Sequence, residues 1–398
     1  RLGGAGRWWL LLYWSSWALL LAVLAHLLWR RGADTSLMPR LKRLPARLRG
    51  VPLALAGAAL AGSAATGAFV YQNTNVLNDY RTRDDNEIWQ AELERKYLRH
   101  EHLPQPRVTD VALIVDLKPA SRRFDASGRY TLINDTGSPV RDLHVRMAGR
   151  DTELLSLSLP GARIVTDDRD FNYRILRFET PLAPGATTTL DFTTRRWHRG
   201  FRAGGEDRTL VENGTFLGNW DFAPMIGMNR NGLLTDRITR RKRGLEGELR
   251  AAPLGDAKAQ HRNAIGNAPW VTSDITVITD AGQTPIAPGN KLSDSVANGR
   301  RTARFVSSVP ILAFFSVQSA DYAEVKGTAP LAGGGSVALS VFHHQSHGWN
   351  ARRMITAMQQ SLAYYTANFG PYQFPYARII EFPAYAEFAQ AFAGTVPY

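Results

Sequence analysis

The histidines cluster once, at His343, His344 and His347, and the outer pair has the spacing of a His-Glu-x-x-His zinc helix. That motif needs two imidazoles one helical turn apart and a Glu directly after the first as general base. Here His344 takes the Glu position, and the run follows a strand-like segment and precedes Gly348. The pattern therefore predicts a polar strand-to-helix turn rather than a metal site. Gly333, Gly334 and Gly335 lack the Lys-Ser/Thr of a phosphate loop and read as a hairpin turn. The absence of cysteine excludes disulfides, Cys-ligated zinc and thiol catalysis. Glu381, Tyr385, Glu387 and Gln390 gather after an apolar run, where a loop leaving a sheet edge commonly supports a site. A solvated loop has the same composition.

The elements that must position these residues follow from the apolar pattern. From Val108 the period is two, with Val111, Leu113, Val115 and Leu117 on one face. Residues 143–147, 155–159 and 171–175 repeat it with turn residues between, and further strands are expected at 275–278, 302–306, 311–317 and 336–342. Short strands without intervening helices predict an all-β antiparallel sandwich over 105–345. Within it, 199–267 reads as inserted loops and the basic run 240–243 as solvated. Met354, Met358, Leu362, Tyr365 and Phe369 recur at helical spacing, and Gly370-Pro371 stop that helix. A strand over 377–382 follows, so a mixed α/β domain is expected to begin at 346.

Two runs near the start are of another kind. Residues 8–29 and 51–71 carry no formal charge over 22 and 21 residues. At ~1.5 Å per residue each reaches across a hydrocarbon core of ~30 Å. Trp8, Trp9 and Trp29 stand at the ends of the first, and Gly57, Gly62 and Gly67 thin the second for close helix packing. The formal charge of +13 is concentrated here, because residues 1–50 hold nine Lys or Arg against Asp34 alone, leaving +5 for the other 348. No aromatic-interleaved basic motif accompanies it, so a bilayer rather than nucleic acid is the expected partner. The stretch 30–50, with seven Lys or Arg, is expected to stay in the cytoplasm, which puts everything after the second run on the outer side. Residues 1–72 thus read as a membrane α-helical hairpin with a basic cytoplasmic loop. Residues 73–104 read as an amphipathic stalk capped at Thr82 with Trp89, Leu93 and Tyr97 on one face. A beginning at Arg1 and an end at Tyr398 inside an apolar run suggest a piece of a longer polypeptide.

The tail carries a resemblance. Tyr365 to Gly370 reads Tyr-x-x-x-Phe-Gly, Pro371 to Pro375 reads Pro-Tyr-x-x-Pro, a strand follows over 378–382, and Gly394 to Tyr398 reads Gly-x-x-x-Tyr. This order resembles aminopeptidase N-like (gluzincin) zinc peptidases. With two apolar spans ahead of it, the whole is most similar to bacterial ABC-transporter permeases fused to such a peptidase. The resemblance implies a β-sandwich N-terminal domain, the start of an α/β thermolysin-like catalytic domain over 346–398, and a location in the bacterial inner membrane with the soluble part in the periplasm. It also implies zinc held by ligands beyond Tyr398 and none by this stretch, a peptide substrate, and ATPase subunits of a transporter as partners. Hydrolysis would follow from a zinc-activated water with a Glu as base. The residues implied to line the substrate are Ala389, Gln390, Ala391, Phe392, Ala393, Gly394 and Thr395, through backbone hydrogen bonds to an extended peptide.

One departure bears on specificity. Where the family has Gly-Ala-Met-Glu-Asn this chain has Phe388-Ala-Gln-Ala-Phe392, with Ala391 in place of the Glu that holds the free α-amino group. An uncharged side chain cannot pair with an ammonium, so strict aminopeptidase specificity is not expected. The alternative is a non-catalytic peptidase fold that binds peptides or a partner for the transporter.

Overall fold

The structure is a computed structural model and describes residues 4–29, 37–202, 207–247, 253–257, 268–331, 334–384, 386 and 388–398. It forms two compact units, residues 1–84 with 198–206, and residues 85–197 with 207–398.

In the first unit, α1 (Gly4–Leu28), α2 (Met38–Arg47) and α3 (Val51–Tyr71) follow one another. Leu- and Ala-rich sequence without an interior proline lets α1 run unbroken for 25 residues. Small residues set the approach of α1 to α3. A Cβ at Gly62 would stand 2.9 Å from Ser16 Oγ and one at Gly67 3.1 Å from the Tyr13 ring, whereas Gly57 faces open space. A π-helical turn, Gln72–Val76, extends α3, and Asn78 Nδ2 donates to Arg199 O at 2.7 Å. Gly6–Leu28 and Val51–Val76 are long and apolar enough to cross a membrane, by length and composition.

The second unit opens with α4 (Arg83–Tyr97) and then β1 (Arg107–Lys118), β2 (Arg123–Ile133), β3 (Val140–Arg146), β4 (Glu153–Ser158), β5 (Ala162–Asp168), β6 (Tyr173–Leu182) and β7 (Thr187–Trp197). Next come β8 (Leu210–Val211), β9 (Gly214–Gly218), α5 (Asn219–Phe222), β10 (Met225–Ile226) and α6 (Arg237–Lys242). After them lie β11 (Trp270–Asp280), β12 (Thr284–Ile286), β13 (Asn290–Ala297), β14 (Arg300–Val306), β15 (Ile311–Leu312) and β16 (Ser316–Ala320). The end consists of β17 (Tyr322–Pro330), β18 (Ser336–His344), α7 (Ala351–Phe369), β19 (Tyr376–Ile380) and β20 (Thr395–Pro397).

The large sheet runs β13-β14-β11-β1-β2-β7-β4, with β15 also on β11. Smaller sheets run β10-β3-β6-β5, β12-β16-β9-β8 and β17-β18-β19-β20. Val111, Leu113, Val115 and Leu117 share the buried face that their alternation predicts, and they meet Leu143, Val145 and Leu176 of one small sheet and Leu217 and Val317 of another in a single core. The expected antiparallel sandwich is corrected in one respect. β1 and β11 are parallel, in register from Asp110↔Thr272 to Asp116↔Ile278, so the sheet is mixed. A parallel pair needs a long crossover, and the intervening strands supply it.

Other expectations shift for identifiable reasons. In β4 a bulge between Leu154 and Ser156 breaks the two-residue period, so Leu154 and Leu157 pack on the core while Leu155 stays exposed. The single strand expected over 311–317 is interrupted at 313–315, where Asn219 Nδ2 donates to Ala313 O and its Oδ1 accepts from Phe315 N. Residues 199–267 are not only loops, since β9 is buried throughout and α6 is anchored. In α7, Met354, Met358 and Leu362 pack on Val337, Leu339 and Val341 of β18 as the stripe predicts, but Tyr365 and Phe369 are exposed.

The basic run 240–243 is the largest departure. Arg240 is 1% exposed and makes a two-pronged pair with Glu94 of α4, 2.7 Å at each prong, while it also donates to Leu234 O, Glu246 O and Gly247 O. Arg243 pairs with Glu87 of the same helix at 3.0 Å. With Leu93 and Tyr97 packed on Tyr173, Met228 and Leu233, α4 is a docked helix of the β-rich unit. Replacing Glu94 by Ala strands the Arg240 charge and is expected to cost about 3–5 kcal/mol in urea unfolding, most of it recovered when Arg240→Leu is added.

Beneath α4, buried His144 shares a hydrogen bond of 2.8 Å with Tyr173 Oη beside the His100 ring. Burial pushes His144 down to about 4 from 6.5, and burial and Arg99 push His100 down too. Between about pH 6.5 and 4 the unfolded chain binds a proton that the folded chain resists. Stability is therefore present above the upper value and is lost as pH falls through that window. The urea midpoint measured against pH should show this decline, and His144→Gln should flatten it.

Candidate functional site

The segment 389–395 leads into the edge strand β20 through a turn whose geometry the sequence dictates. Phe392 N donates to Thr395 O at 2.8 Å and Thr395 N to Phe392 O at 3.1 Å, leaving Ala393 and Gly394 at the tip. Gly394 has φ +62°, a region that costs other residues strain, and a Cβ there would lie 2.4 Å from the Tyr376 ring. Gly394 O accepts from Arg378 N at 2.9 Å and Tyr398 N donates to Ile380 O at 2.8 Å, so alternate residues of this stretch face β19 in a parallel ladder. Thr395 faces away from β19 and its backbone is taken by Phe392. Pro397 on the same outer side has no N–H to offer. Thr395 Oγ1 is buried without a hydrogen-bond partner among the described residues.

Phe392 brings this segment into an aromatic cluster built from distant stretches. Its ring centroid lies 5.1 Å from Phe314, 6.3 Å from Phe216 and 6.5 Å from Trp220. Trp220 stacks on Phe314 at 5.2 Å, and Phe216 meets Phe382 at 4.8 Å and Phe388 at 6.0 Å. Phe216 comes from β9, Trp220 from α5, and Phe314 from the break between β15 and β16. Asn219 holds that break by its two side-chain bonds and a third from its backbone N to Phe315 O at 2.8 Å. Asp221 closes the first turn of α5 by accepting from Gly218 N at 2.9 Å and pairs with Arg196 at 3.0 Å. Burial raises the Asp221 carboxyl, and Arg196 opposes that shift.

Trp220 and Phe314 also wall a cavity of about 950 Å³ together with Tyr130, Met225, Asn229 and Trp270. Its charged lining is Arg107 with Asp135, paired at 2.6 Å. Flat rings beside side-chain amides, with charges already matched, suit an uncharged chain segment with mixed polar and apolar groups.

Of the expected site residues, Phe392, Gly394 and Thr395 are buried in this construction and Ala393 packs partly on the main core. Ala389 and Ala391 are exposed, and Gln390 reaches back to Ala391 O at 3.2 Å. Tyr385 and Glu387 lie outside the described residues. Sequence reasoning missed Phe216, Trp220 and Phe314. The signal for Phe216 and Trp220 was the aromatic density of 214–222 inside a stretch read as loops, whereas Phe314 lay within the single strand expected over 311–317.

The histidines form the expected turn. His343, next to the end of β18, is buried with Nδ1 on His344 O at 2.8 Å, whereas His347 is exposed and bonded to Glu381. Glu381 also accepts from His344 N at 2.6 Å, and Tyr322 Oη donates to Glu381 O at 2.7 Å. Glu381 thereby clamps the ends of β18 and β19. No group of three or more His, Asp or Glu that could hold a metal occurs among the described residues.

No protein-family model matches the sequence, and no curated protein is similar to it. Solved structures do match. The M1 zinc metallopeptidase from Deinococcus radiodurans is similar with a TM-score of 0.52 at 14% identity, over 75% of this chain and 62% of that one. The fold is aminopeptidase N-like. A point mutant of the same enzyme matches at a TM-score of 0.50 and 14% identity, over 74% of this chain and 60% of its own. The chain thus spans about three fifths of the length of these neighbours, and its β-rich part with mixed sheets resembles M1 peptidase N-terminal domains. The zinc in those names has no counterpart in the described residues, which do not assemble a ligand set.

Gly394→Ala should lower stability by roughly 2 kcal/mol or more in denaturant unfolding, from positive-φ strain and contact with Tyr376. Ala391→Ser on the exposed side of the same segment should leave it within about 0.5 kcal/mol.

Proposed function

We propose that this chain is the membrane-anchored, substrate-facing part of a zinc-metallopeptidase-like protein that engages peptides outside the cytoplasmic membrane. The observation that carries the reading is the edge segment 392–395 locked beside Trp220, Phe314 and Phe216 within an aminopeptidase N-like fold. On this reading β17–β20 with α7 begin the catalytic domain, and the peptide is held against the aromatic wall and the outer side of 389–395. Hydrolysis requires a metal site formed by residues other than those described, so no step of the chemistry is assigned to this stretch.

The anchoring rests on the two apolar helices and the basic loop between them. Positive charge keeps such a loop in the cytoplasm, which puts the β-rich unit on the opposite side of an inner membrane. Fusion to an ABC-transporter permease, with an ATPase as partner, is the arrangement that fits helices directly ahead of a peptidase-like domain.

Ala391 favours a second reading, a peptide-binding module without catalysis, because it leaves no carboxylate for a substrate ammonium. Cleavage of matched peptides with free and with acetylated amino termini by the full-length protein separates the two. Chelator-sensitive cleavage of both at rates within a few-fold is expected. Ala391→Glu should then introduce a preference for free amino termini of roughly ten-fold. Peptide binding with no cleavage in excess zinc would establish the non-catalytic reading instead.

A further inference from the structure

Between the two apolar helices, α2 is a short helix with its own organisation. Leu37, Leu41, Leu44 and Leu48 recur at i, i+4, i+7 and i+11, one stripe on a helical surface. Leu44 and Leu48 pack with Val23 and Leu27 of α1 and Ala56 of α3, while Leu37, Met38 and Leu41 are exposed. Arg43 lies on one flank of the stripe and Lys42 on the other, and Arg49 follows just past the helix end, all exposed. No acidic residue occurs from Leu37 to Gly50.

The helix is also tied to a defined depth. Arg47 Nη1 donates to Leu27 O at 3.0 Å and Arg40 Nη1 to Leu28 O at 3.5 Å, so two guanidinium groups cap the last carbonyls of α1. That sets α2 across the end of the helix hairpin, at the level where the apolar run stops. Ten residues with Pro45 inside do not hold a helix alone in water. Packing against the hairpin supports one side, and the exposed leucines need a second apolar surface.

We propose that α2 lies in the membrane interface and binds anionic phospholipid headgroups. Leu37, Met38 and Leu41 enter the acyl boundary, and Lys42, Arg43 and Arg49 extend from the flanks and the helix end to the lipid phosphates. The proposal rests on the reading that α1 and α3 cross a bilayer. Charge complementarity selects the occupant, since three exposed cations in a stretch, 37–50, that holds no Asp or Glu favour a negative leaflet surface, each by roughly five-fold in affinity.

The cysteine-free chain makes the test direct. Leu41→Cys and, separately, Leu12→Cys are labelled with an environment-sensitive fluorophore in the full chain. Each is reconstituted in phosphatidylcholine vesicles with and without phosphatidylglycerol, and shielding from aqueous acrylamide is measured. The position-41 probe should be shielded in the anionic vesicles and markedly less so in the neutral ones, with the position-12 probe shielded in both. Lys42→Gln, Arg43→Gln and Arg49→Gln together should remove the difference between lipids. A position-41 probe equally exposed in both lipids, or equally shielded in both and unaffected by the three substitutions, overturns the proposal while the membrane reading stands. An exposed position-12 probe overturns that reading and the proposal with it.

Discussion

Residues 107–118 must satisfy neighbours on both sides at once, β2 adjacent in sequence and antiparallel, and β11 parallel to it. The register joins Asp110 to Thr272, 162 residues later, and Thr272 Oγ1 donates to Asp110 at 2.5 Å. Closing so long a loop has an entropic cost that only a large buried face can offset, and β1 supplies that face with Val111, Leu113, Val115 and Leu117. Without β11, β1 would present an open edge, so this pairing joins the two halves of the large sheet. The strands between cannot be loops, because they cover the core that β1 and β11 create.

The candidate site is a product of that closure. Phe216, Trp220, Phe314 and Phe392 come from stretches far apart in the chain, and they meet because β9 and β16 pair on the same core as β1. Asn219 and Asp221 then convert a general proximity into a fixed wall, with carboxamide and carboxylate each bonded to more than one backbone or side-chain group. On the opposite flank, Gly394 allows the turn that swings Phe392 into the cluster. Hydrogen-bonded turns and strands carry the wall, while Ala389 and Ala391 are exposed.

What was legible in the sequence was whatever depends on local period. The alternation at 111–117, the first three residues of the α7 stripe, the apolar lengths of α1 and α3, and the turn at His343 to His347 all reappear in the structure. What escaped depends on distant partners. Arg240 reads as solvated until Glu94 is seen 146 residues away, and the ring cluster is invisible until three sheets assemble. The bulge in β4 and the break at 313–315 are local in effect, yet their causes are a ladder register and the Asn219 side chain. The parallel pairing of β1 with β11 likewise leaves no mark on the period, since alternation is the same in either direction.

On the proposed reading, these features form a wall against which an extended peptide lies beside β20. Photo-crosslinking in the full-length protein tests it most directly, with a benzophenone amino acid placed at Phe388, beside the cluster, or at exposed Leu292 on the far edge strand β13. With metal chelated, an unstructured peptide should crosslink from position 388 and not from 292. Crosslinking from 292 alone, or equally from both, would contradict the account.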